Sequence, residues 1–227
     1  MQNFRLTISN LACERDERPI FSRLSAEFAS GDLVQIAGPN GAGKTTLLKV
    51  VIGIVPAAAG EVLWHSEDPD AKLREHLLYL GHQPAVKTSL TALENLQWYF
   101  GLNGRKSPLG SAPATQESCI EALTTVGLAG YEHIPCHQMS AGQQRRVALA
   151  RLFISEAPLW ILDEPFTAID KKGVAALEAQ MEAHALRGGM VLLTTHQPLA
   201  LSRVTLLDVG DYQGGTQGGA PMTEEQV

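Results

Sequence analysis

The residues best suited to chemistry lie between positions 38 and 45. They read Gly-Pro-Asn-Gly-Ala-Gly-Lys-Thr, which fits the pattern G-x-x-x-x-G-K-[ST]. Glycines at these positions let backbone N–H groups turn toward one point, and a lysine adds a positive charge there. The segment predicts a loop that holds the phosphates of ATP. The candidate nucleotide-binding residues are Gly38, Pro39, Asn40, Gly41, Ala42, Gly43, Lys44, Thr45 and Thr46.

The side chains that end this loop have separate expected roles. Lys44 would neutralise the β- and γ-phosphates, the Thr45 hydroxyl would ligate Mg²⁺, and Thr46 would add a hydrogen bond to the α-phosphate. A glycine turn followed by Lys-Thr by chance is the alternative. It is disfavoured because an apolar β-rich run precedes the loop and an apolar helix pattern follows it.

Two carboxylates follow a second apolar run. Asp163 comes directly after Leu159–Leu162, so it should lie at the carboxyl end of a strand, where sheets of this kind bind ligands. We expect Asp163 to hold Mg²⁺ and Glu164 to activate or position the attacking water. His196 follows a third apolar run and is a candidate contact for the γ-phosphate. The alternatives are a solvated Asp-Glu turn and a structural histidine.

A second anion-binding surface is predicted at Ser140, Gly142 and Gln143. These residues precede a helical pattern, so a hydroxyl and free amides would be presented at a helix N-terminus. The first loop already accounts for the phosphates of one nucleotide. We therefore expect this surface to close over the nucleotide of a second copy of the chain, in a homodimer with two nucleotides between the subunits.

The pattern of apolar residues predicts the elements that position these side chains. Leu33–Ala37 reads as a strand that enters the loop, and 45–52 reads as the helix that leaves it. The continuous apolar runs at 159–162 and 191–193 indicate parallel strands buried on both faces, and we expect them beside the first strand. Between them, 171–187 has helical spacing and ends at a glycine pair. The chain is predicted to be an α/β protein.

The middle of the chain reads differently. Residues 88–151 contain helical patterns at 90–96 and 120–126 without a convincing strand, which predicts an inserted helical lobe. The stretch 101–118 is rich in Gly, Ser, Pro and Ala and is predicted to be an exposed loop. The final 214–227 is polar and glycine-rich and is predicted to be disordered.

Composition limits the possible functions. The 227 residues carry a formal charge of −6 without a basic stripe, so nucleic acid is not expected as a partner. The longest apolar stretch, Val50–Val55, is far shorter than the ~18 residues that would span a membrane, and no secretion leader is visible. We therefore expect a cytoplasmic protein that does not cross the membrane by itself.

The thiols and histidines are candidate ligands for a metal or haem. Three cysteines without a C-x-x-C pair favour structural thiols over a disulfide framework. His133, Cys136 and His137 lie within five positions, which leaves metal or haem ligation open. Since no second ligand pair follows at zinc spacing, we favour the structural role.

Taken in order, these motifs resemble those of the ATP-binding subunits of ABC transporters. The resemblance covers residues 3–210. It rests on the Walker A loop at 38–45, a Q-loop glutamine at Gln83, a signature at 140–144, Walker B with its glutamate at 163–164, a D-loop at 167–170 and a switch histidine at His196. It implies a P-loop ABC-type ATPase core with a parallel sheet, a small antiparallel β subdomain and an inserted α-helical subdomain.

The resemblance also implies boundaries and roles. The core would comprise 1–86 and 152–210, the helical subdomain 87–151, and the tail 211–227. The catalytic residues would be Glu164, His196 and Gln83, and the Mg²⁺ ligands Thr45, Gln83 and Asp163. Two copies would form an ATP sandwich dimer, with the helical lobe docked on membrane-spanning partners.

Several longer segments are similar to the ATP-binding subunit of the bacterial cytochrome c maturation system. Among them are Gly81-His-Gln-Pro84, Ser140–Arg151 and Thr194–Pro198. This implies a peripheral subunit on the cytoplasmic face of the bacterial inner membrane, assembled with the integral subunits of that complex. ATP hydrolysis would drive haem export or release of a haem-loaded chaperone, and haem is not expected to bind this chain. The alternatives are an exporter for another substrate, such as a lipid or drug, and a soluble ABC-type clamp protein.

The signature, the adenine-stacking position and an aromatic cluster each give a further expectation. The signature has Ala141 where glycine is commoner, which should be tolerated if the backbone there is not left-handed. The usual adenine-stacking aromatic falls in a charged segment, where the guanidinium of Arg15 or Arg18 would substitute. Trp98–Phe100 is either core packing or a surface that docks a membrane partner.

Overall fold

An antiparallel three-stranded sheet forms one part of the molecule. The computed structural model describes residues 4–103, 114–201 and 203–213. Strands β1 (Arg5–Arg15), β2 (Arg18–Ala29) and β4 (Ala59–His65) pair in the order β2-β1-β4. Asp16 and Glu17 connect β1 to β2 with φ values of 52° and 62°. Positive φ at both positions is the two-residue hairpin turn that matches strand twist, and it fixes Arg15 opposite Arg18.

A parallel five-stranded sheet forms the centre. Its order is β5-β6-β7-β3-β8. The strands are β3 (Leu33–Ala37), β5 (Leu77–Leu80), β6 (Leu159–Asp163), β7 (Met190–Thr194) and β8 (Thr205–Asp208). Every residue of β6 and β7 is buried, as continuous apolar runs require when both faces of a sheet are covered.

The predicted strand neighbours are partly wrong. β7 lies directly beside β3, as expected, with Leu33 opposite Val191. β6 instead pairs with β5 and β7, so β7 separates it from β3. The cause is the crossover through the helix at Lys171–Leu186, which places β7 directly beside β6. β7 therefore lies between β6 and β3.

Within the described residues, five α-helices complete the fold. They are α1 (Lys44–Val51), α2 (Ala92–Asn103), α3 (Gln116–Thr125), α4 (Ala141–Ala150) and α5 (Lys171–Leu186). The helices predicted at 45–52 and 171–187 are present. The predicted loop 101–118 is too long, because its first three residues belong to α2 and its last three to α3. Its centre, 104–113, and the predicted disordered tail at 214–227 lie outside the described residues.

The helices pack around three clusters of buried side chains, the first of which joins α1 to β1 of the antiparallel sheet and β3 of the parallel sheet. α2, α3 and one face of α4 enclose a cluster of their own, with Leu96, Leu123 and Val147 at its centre. The other face of α4 joins α5 against the parallel sheet through Ala148 and Leu149. In the described parts of 87–151 no strand forms. The predicted combination of a parallel sheet, a smaller antiparallel sheet and a helical insertion is confirmed, and the boundaries at 87 and 151 stay a prediction.

Candidate nucleotide-binding and catalytic site

The glycine loop turns sharply between β3 and α1. Gly38, Gly41 and Gly43 have φ values of 133°, 83° and 97°, in a region that side chains disfavour. A Cβ at Gly43 would collide with the Ile20 side chain, and one at Gly38 would lie 3.2 Å from Asp208 Oδ1. The backbone path therefore requires glycine at these positions, and it leaves the start of α1 facing open space.

Lys44 places its charge within the loop. Its side chain is largely buried, and Nζ donates to the carbonyl oxygens of Gly38 at 2.7 Å and Pro39 at 3.2 Å. An ammonium has three donors, so these bonds leave one for a ligand. The geometry holds a cation at the loop, as phosphate binding requires.

Asp163 ends β6, and one of its carboxylate oxygens has no hydrogen-bond partner in the part of the chain that the structure describes. Its Oδ1 accepts from the Thr45 hydroxyl at 3.0 Å and from the Thr194 hydroxyl at 2.8 Å. Its Oδ2 is buried without a hydrogen-bond partner among the described residues. A buried carboxylate oxygen left unpaired is costly, and carboxylate and hydroxyl oxygens are the ligands that Mg²⁺ prefers. The residues present fit a Mg²⁺ ion.

Glu164 directly follows Asp163 and has a left-handed backbone. Its φ is 51°, which is uncommon for a residue with a side chain. Its N–H donates to the Thr194 hydroxyl at 3.0 Å, so the strained position is held from the neighbouring strand. The Glu164 Oε1 lies 3.6 Å from His196 Nε2. A half-buried carboxylate beside an imidazole is suited to accept a proton from water.

A cavity of about 470 Å³ joins most of these groups. It is lined by Arg15, Ile20, Asn40, Gly41, Ala42, Gly43, Lys44, Thr45, Thr46, Glu164, Thr194 and His196. A second cavity of about 460 Å³ adjoins it through the shared Arg15, Ile20 and Gly41, and also contacts Arg18. The structure thus brings the phosphate loop, Glu164 and His196 together, with the two candidate base-stacking arginines at one end.

Gln83 is exposed and does not line this cavity. It follows β5 by three positions, and the carbonyl oxygens of its neighbours Gly81 and His82 accept from Arg145 Nη1 at 2.6 and 3.3 Å. Arg145 Nη2 donates in turn to the carbonyls of Asp163 and Glu164 at 3.1 and 2.9 Å. The segment with Gln83 is therefore attached beside the carboxylates, although its own side chain is not among them.

The predicted anion-binding surface differs in detail from the expectation. Ser140 caps α4 by accepting from the Gln143 N–H at 3.2 Å, and Gln143 Oε1 accepts from the Ser140 N–H at 2.8 Å. This capping box uses the amide and the side chain of Gln143, so the prediction of a free amide there is wrong. Ser140 is exposed, and none of the three residues lines the cavity. Ala141 is the first residue of α4, a helical position that accepts its methyl group.

Three residues of the site were not predicted. Thr194 bridges the two carboxylate residues, Arg145 ties α4 to them, and Ile20 packs over Gly43. Thr194 had a usable signal, since it ends a buried strand as Asp163 does. Arg145 had a weaker one, because it lies three and four positions before Ala148 and Leu149, on the face of α4 that is buried against the sheet.

Burial sets the electrostatics of Arg145. Its residue is 5% exposed, and loss of solvation lowers the pKa of its guanidinium, while Asp163, Glu164 and Tyr79 oppose that shift. The side chain stays charged, since even a shifted arginine remains protonated at neutral pH. A buried cation therefore lies beside the site.

The cysteine and histidine candidates for metal or haem lie away from this site. Cys136 is buried, its Sγ accepts from Asn95 Nδ2 at 3.2 Å, and burial raises the pKa of its thiol. His137 Nδ1 lies 3.2 Å from the Thr88 carbonyl. Across 4–103, 114–201 and 203–213, no three His, Cys, Asp or Glu side chains group as a metal site would. Nor does any helix within those ranges have the length and apolar content to cross a membrane.

Comparison with known proteins identifies close relatives. Residues 21–167 match the model of a family described as ABC transporter. The chain is 56% identical over 206 residues to the cytochrome c biogenesis ATP-binding export protein CcmA of Saccharophagus degradans, an alignment that covers 90% of this chain and 92% of that protein. It is 52% identical over 198 residues to the protein of the same name from Escherichia coli strain K12, covering 86% and 90%.

Solved structures share the fold. An ATP-binding protein of a putative ABC transporter from Pyrococcus furiosus superposes with a TM-score of 0.77 at 23% identity, covering 92% of this chain and 99% of that one. The ATP-binding cassette MJ0796, solved as a dimer bound to ADP and Pi, superposes with a TM-score of 0.72 at 25% identity, covering 90% and 95%.

Proposed function

Because this chain belongs to the ABC transporter family, we propose that it is the ATP-hydrolysing subunit of a membrane complex in cytochrome c biogenesis. It binds and hydrolyses ATP. The observation that carries the assignment of the site is the cavity shared by the loop at 38–45 and the carboxylate of Glu164. A phosphate-binding loop and a positioned proton acceptor within one cavity are what hydrolysis of a phosphoanhydride requires.

Binding is proposed to rest on the loop and on α1. Backbone N–H groups of 41–46 cradle the phosphates, and Lys44 Nζ contributes a positive charge to the β- and γ-phosphates. Thr45 and Asp163 would hold Mg²⁺ through the hydroxyl and the unpaired Oδ2, and Gln83 would complete its coordination. When bound, Mg²⁺ neutralises the charge that develops on the phosphate oxygens.

Hydrolysis is proposed to use Glu164 and His196. The Glu164 carboxylate accepts a proton from water as the water oxygen bonds to the γ-phosphorus and the bond from that phosphorus to the leaving β-phosphate oxygen breaks. His196 Nε2, 3.6 Å from Glu164 Oε1, is placed to orient the carboxylate and contact the γ-phosphate. ADP and inorganic phosphate are the products.

Closure is proposed to need a second copy of the chain. Ser140, Gly142 and Gln143 do not line the cavity of their own subunit, yet α4 presents its capped N-terminus to solvent there. A helix N-terminus favours anions, so the partner's Ser140 hydroxyl and Gly142 amide would close over the γ-phosphate. The dimer of MJ0796 with ADP and Pi supports this arrangement.

The named relatives support a proposal for the cargo and the location. At 52–56% identity over most of the chain, we propose that the complex is the cytochrome c biogenesis exporter and that this subunit is peripheral, on the cytoplasmic face of the bacterial inner membrane. Integral subunits would supply the path, and ATP hydrolysis would drive haem export or release of a haem-loaded chaperone. Haem is not proposed to bind this chain.

The test compares Glu164→Gln with Glu156→Gln, a matched change at an exposed glutamate. Glu164→Gln should bind ATP·Mg²⁺, sediment as a dimer with ATP and hydrolyse it at least about 100-fold more slowly, because the proton acceptor is lost. Glu156→Gln should match the parent. Undiminished turnover, or a strict monomer with ATP, would overturn the proposed site. Mass spectrometry of proteins copurified from membranes identifies the integral subunits and tests the cargo.

A further inference from the structure

One guanidinium joins helix α4 to the carboxyl ends of two neighbouring strands. The Arg145 Nη1 donates to the carbonyls of Gly81 and His82, just beyond β5, and Nη2 donates to those of Asp163 and Glu164, at the end of β6. β5 and β6 are parallel neighbours with Leu80 opposite Leu162. Arg145 therefore fixes the spacing of the two segments that carry Gln83 and Glu164.

The C-terminal end of the segment with Gln83 is bound by the residue that directly follows α4. Arg151, directly after α4, donates through Nη2 to the Ala85 carbonyl at 2.9 Å, and its guanidinium lies 4.4 Å from the centre of the Tyr99 ring. Ala85 has a left-handed backbone, with a φ of 49°. Arg145 and Arg151 thus hydrogen-bond to the backbone on both sides of Gln83, while Gln83 itself is exposed.

Stability alone does not explain why these two guanidiniums are buried. Arg145 and Arg151 are 5% and 2% exposed, and the Nε of each is buried without a hydrogen-bond partner in the described chain. No carboxylate oxygen in the described ranges lies within 4.0 Å of either guanidinium. In the described chain both guanidiniums hydrogen-bond only to backbone carbonyls, and a buried cation held in this way often contributes less to stability than an apolar side chain of similar size would. A function in positioning accounts for their presence better than packing does.

We propose that Arg145 is a positioning residue for ATP hydrolysis, which sets Gln83 and Glu164 relative to the bound nucleotide from the helix that begins at Ser140. This inference rests on the proposed roles of Gln83 and Glu164. Arg145 contacts neither the phosphate loop nor the cavity, so it acts on the chemical step and not on nucleotide affinity. Seating of α4, through its own N-terminus or through the helical lobe, is thereby transmitted to both side chains.

The test uses Arg145→Gln, Arg145→Lys and the neighbouring Arg146→Gln in the full-length chain. Arg146 faces a different groove, near Gly127 and Phe153, so its variant removes the same charge from the same helix. We expect Arg145→Gln to lower kcat about 10-fold or more, with the KM for ATP within about twofold, since only transition-state interactions are lost. Arg145→Lys keeps the charge but not the fork of donors and should be intermediate. Arg146→Gln should match the parent.

Additional measurements separate positioning from folding and from the underlying assignment. Arg145→Gln placed in Glu164→Gln should still dimerise with ATP. A folded Arg145→Gln with unchanged kcat, or with KM raised and kcat unchanged, overturns the inference. If Arg145→Gln does not fold, Arg145→Lys decides, and parental kcat in that variant overturns it. Parental turnover in Glu164→Gln would instead refute the proposed site, so the two failures are distinguishable.

Discussion

The Thr194 hydroxyl donates to Asp163 Oδ1 at 2.8 Å, joining the last residues of β7 and β6 across the sheet. The Thr194 hydroxyl oxygen also accepts a hydrogen bond from the Glu164 N–H at 3.0 Å. One threonine therefore orients the carboxylate that fits Mg²⁺ and supports the left-handed backbone of the residue proposed to accept the proton. Thr194 is 1% exposed, so both bonds are shielded from solvent.

Thr194→Val removes both hydrogen bonds and keeps the side-chain shape. The Asp163 carboxylate keeps the Thr45 donor and the Glu164 amide keeps the Thr194 carbonyl at 3.2 Å, so each lost bond is worth about 0.5 to 1.5 kcal/mol. We expect kcat for ATP to fall about 10-fold or more and the concentration of Mg²⁺ for half-maximal rate to rise. Steady-state ATPase assays over a Mg²⁺ titration measure both. Thr194→Ser, which retains the hydroxyl, is the control and should stay near the parent; equal losses in both variants would contradict the role of the hydroxyl.

Arg15→Ala tests the expected substitute for an adenine-stacking aromatic. Arg15 lines both cavities, whereas Arg18 lines only the outer one. The Arg15 Nε lies 3.8 Å from Asp16 Oδ2 with both side chains largely exposed, and such surface pairs are weak, so the guanidinium is free to turn onto a base. We expect Arg15→Ala to raise the Kd for ATP by about fivefold or more, from a stacking energy of about 1 to 3 kcal/mol.

Titration with a fluorescent ATP analogue measures this change, and Arg18→Ala provides the comparison. A smaller effect is expected for Arg18→Ala because its side chain lies farther from the loop. Unchanged affinity in Arg15→Ala would show that the base is held by other groups.

Trp98 is the most exposed of the three aromatic residues at 98–100. Of the three aromatics at 98–100, Tyr99 lies under the Arg151 guanidinium, whereas Trp98 is 39% exposed with Lys87 Nζ 4.2 Å from its ring centre. Exposed tryptophan is enriched among residues that dominate interfaces. Packing therefore accounts for Tyr99, and docking of a membrane partner through Trp98 stays a prediction.

Trp98→Ala should leave the ATPase rate of the isolated chain unchanged and weaken its association with membrane subunits by about 10-fold or more, as loss of an interface anchor of about 2 kcal/mol predicts. Copurification from membranes measures the association. Tyr131→Ala removes an aromatic of similar exposure elsewhere on the lobe and should bind like the parent. Equal recovery of the two variants would exclude Trp98 from the interface.

The sequence patterns were most informative where one physical requirement dominates. Both faces of β6 and β7 are buried, so the two strands could be predicted from their continuous apolar runs. Asp163 and Glu164 could be predicted as site residues because they lie at the carboxyl end of β6. β5 and β8 have four residues each, too few to show a period, and β1 is interrupted by register shifts in its pairing. The antiparallel sheet was predicted only through the family resemblance.

The site shows the same division. Gly38, Lys44 and Thr45 could be predicted because phosphate binding constrains residue types at fixed spacing. Arg145 could not be assigned a role, because its four partners are backbone carbonyls, and any residue type supplies those. The capping of Ser140 by Gln143 was also missed, although the spacing of a capping box was present.

His184 makes the stability of the fold depend on pH. Its ring stacks on Trp160 with centroids 3.8 Å apart and an angle of 6°, and Nε2 lies 3.2 Å from the Pro158 carbonyl. A Cβ at Gly189 would collide with the ring, so the seat is tight. Burial lowers the pKa of His184 from 6.5 to about 4, opposed by the bond to Pro158 and reinforced by the charge of Arg187.

The neutral ring is therefore favoured by the fold, and the unfolded chain takes up a proton first as the pH falls. The contribution of His184 to stability is complete above about pH 6.5 and is lost progressively toward pH 4, at about 1.4 kcal/mol per pH unit. His184→Phe keeps an aromatic ring on Trp160 without a titrating group. Urea unfolding at pH 7, 6 and 5 measures the free energy of unfolding of both proteins. We expect the free energy of unfolding of the parent to fall by about 2 kcal/mol more than that of His184→Phe between pH 7 and pH 5. A difference that stays constant over this range would show that His184 titrates normally in the folded chain.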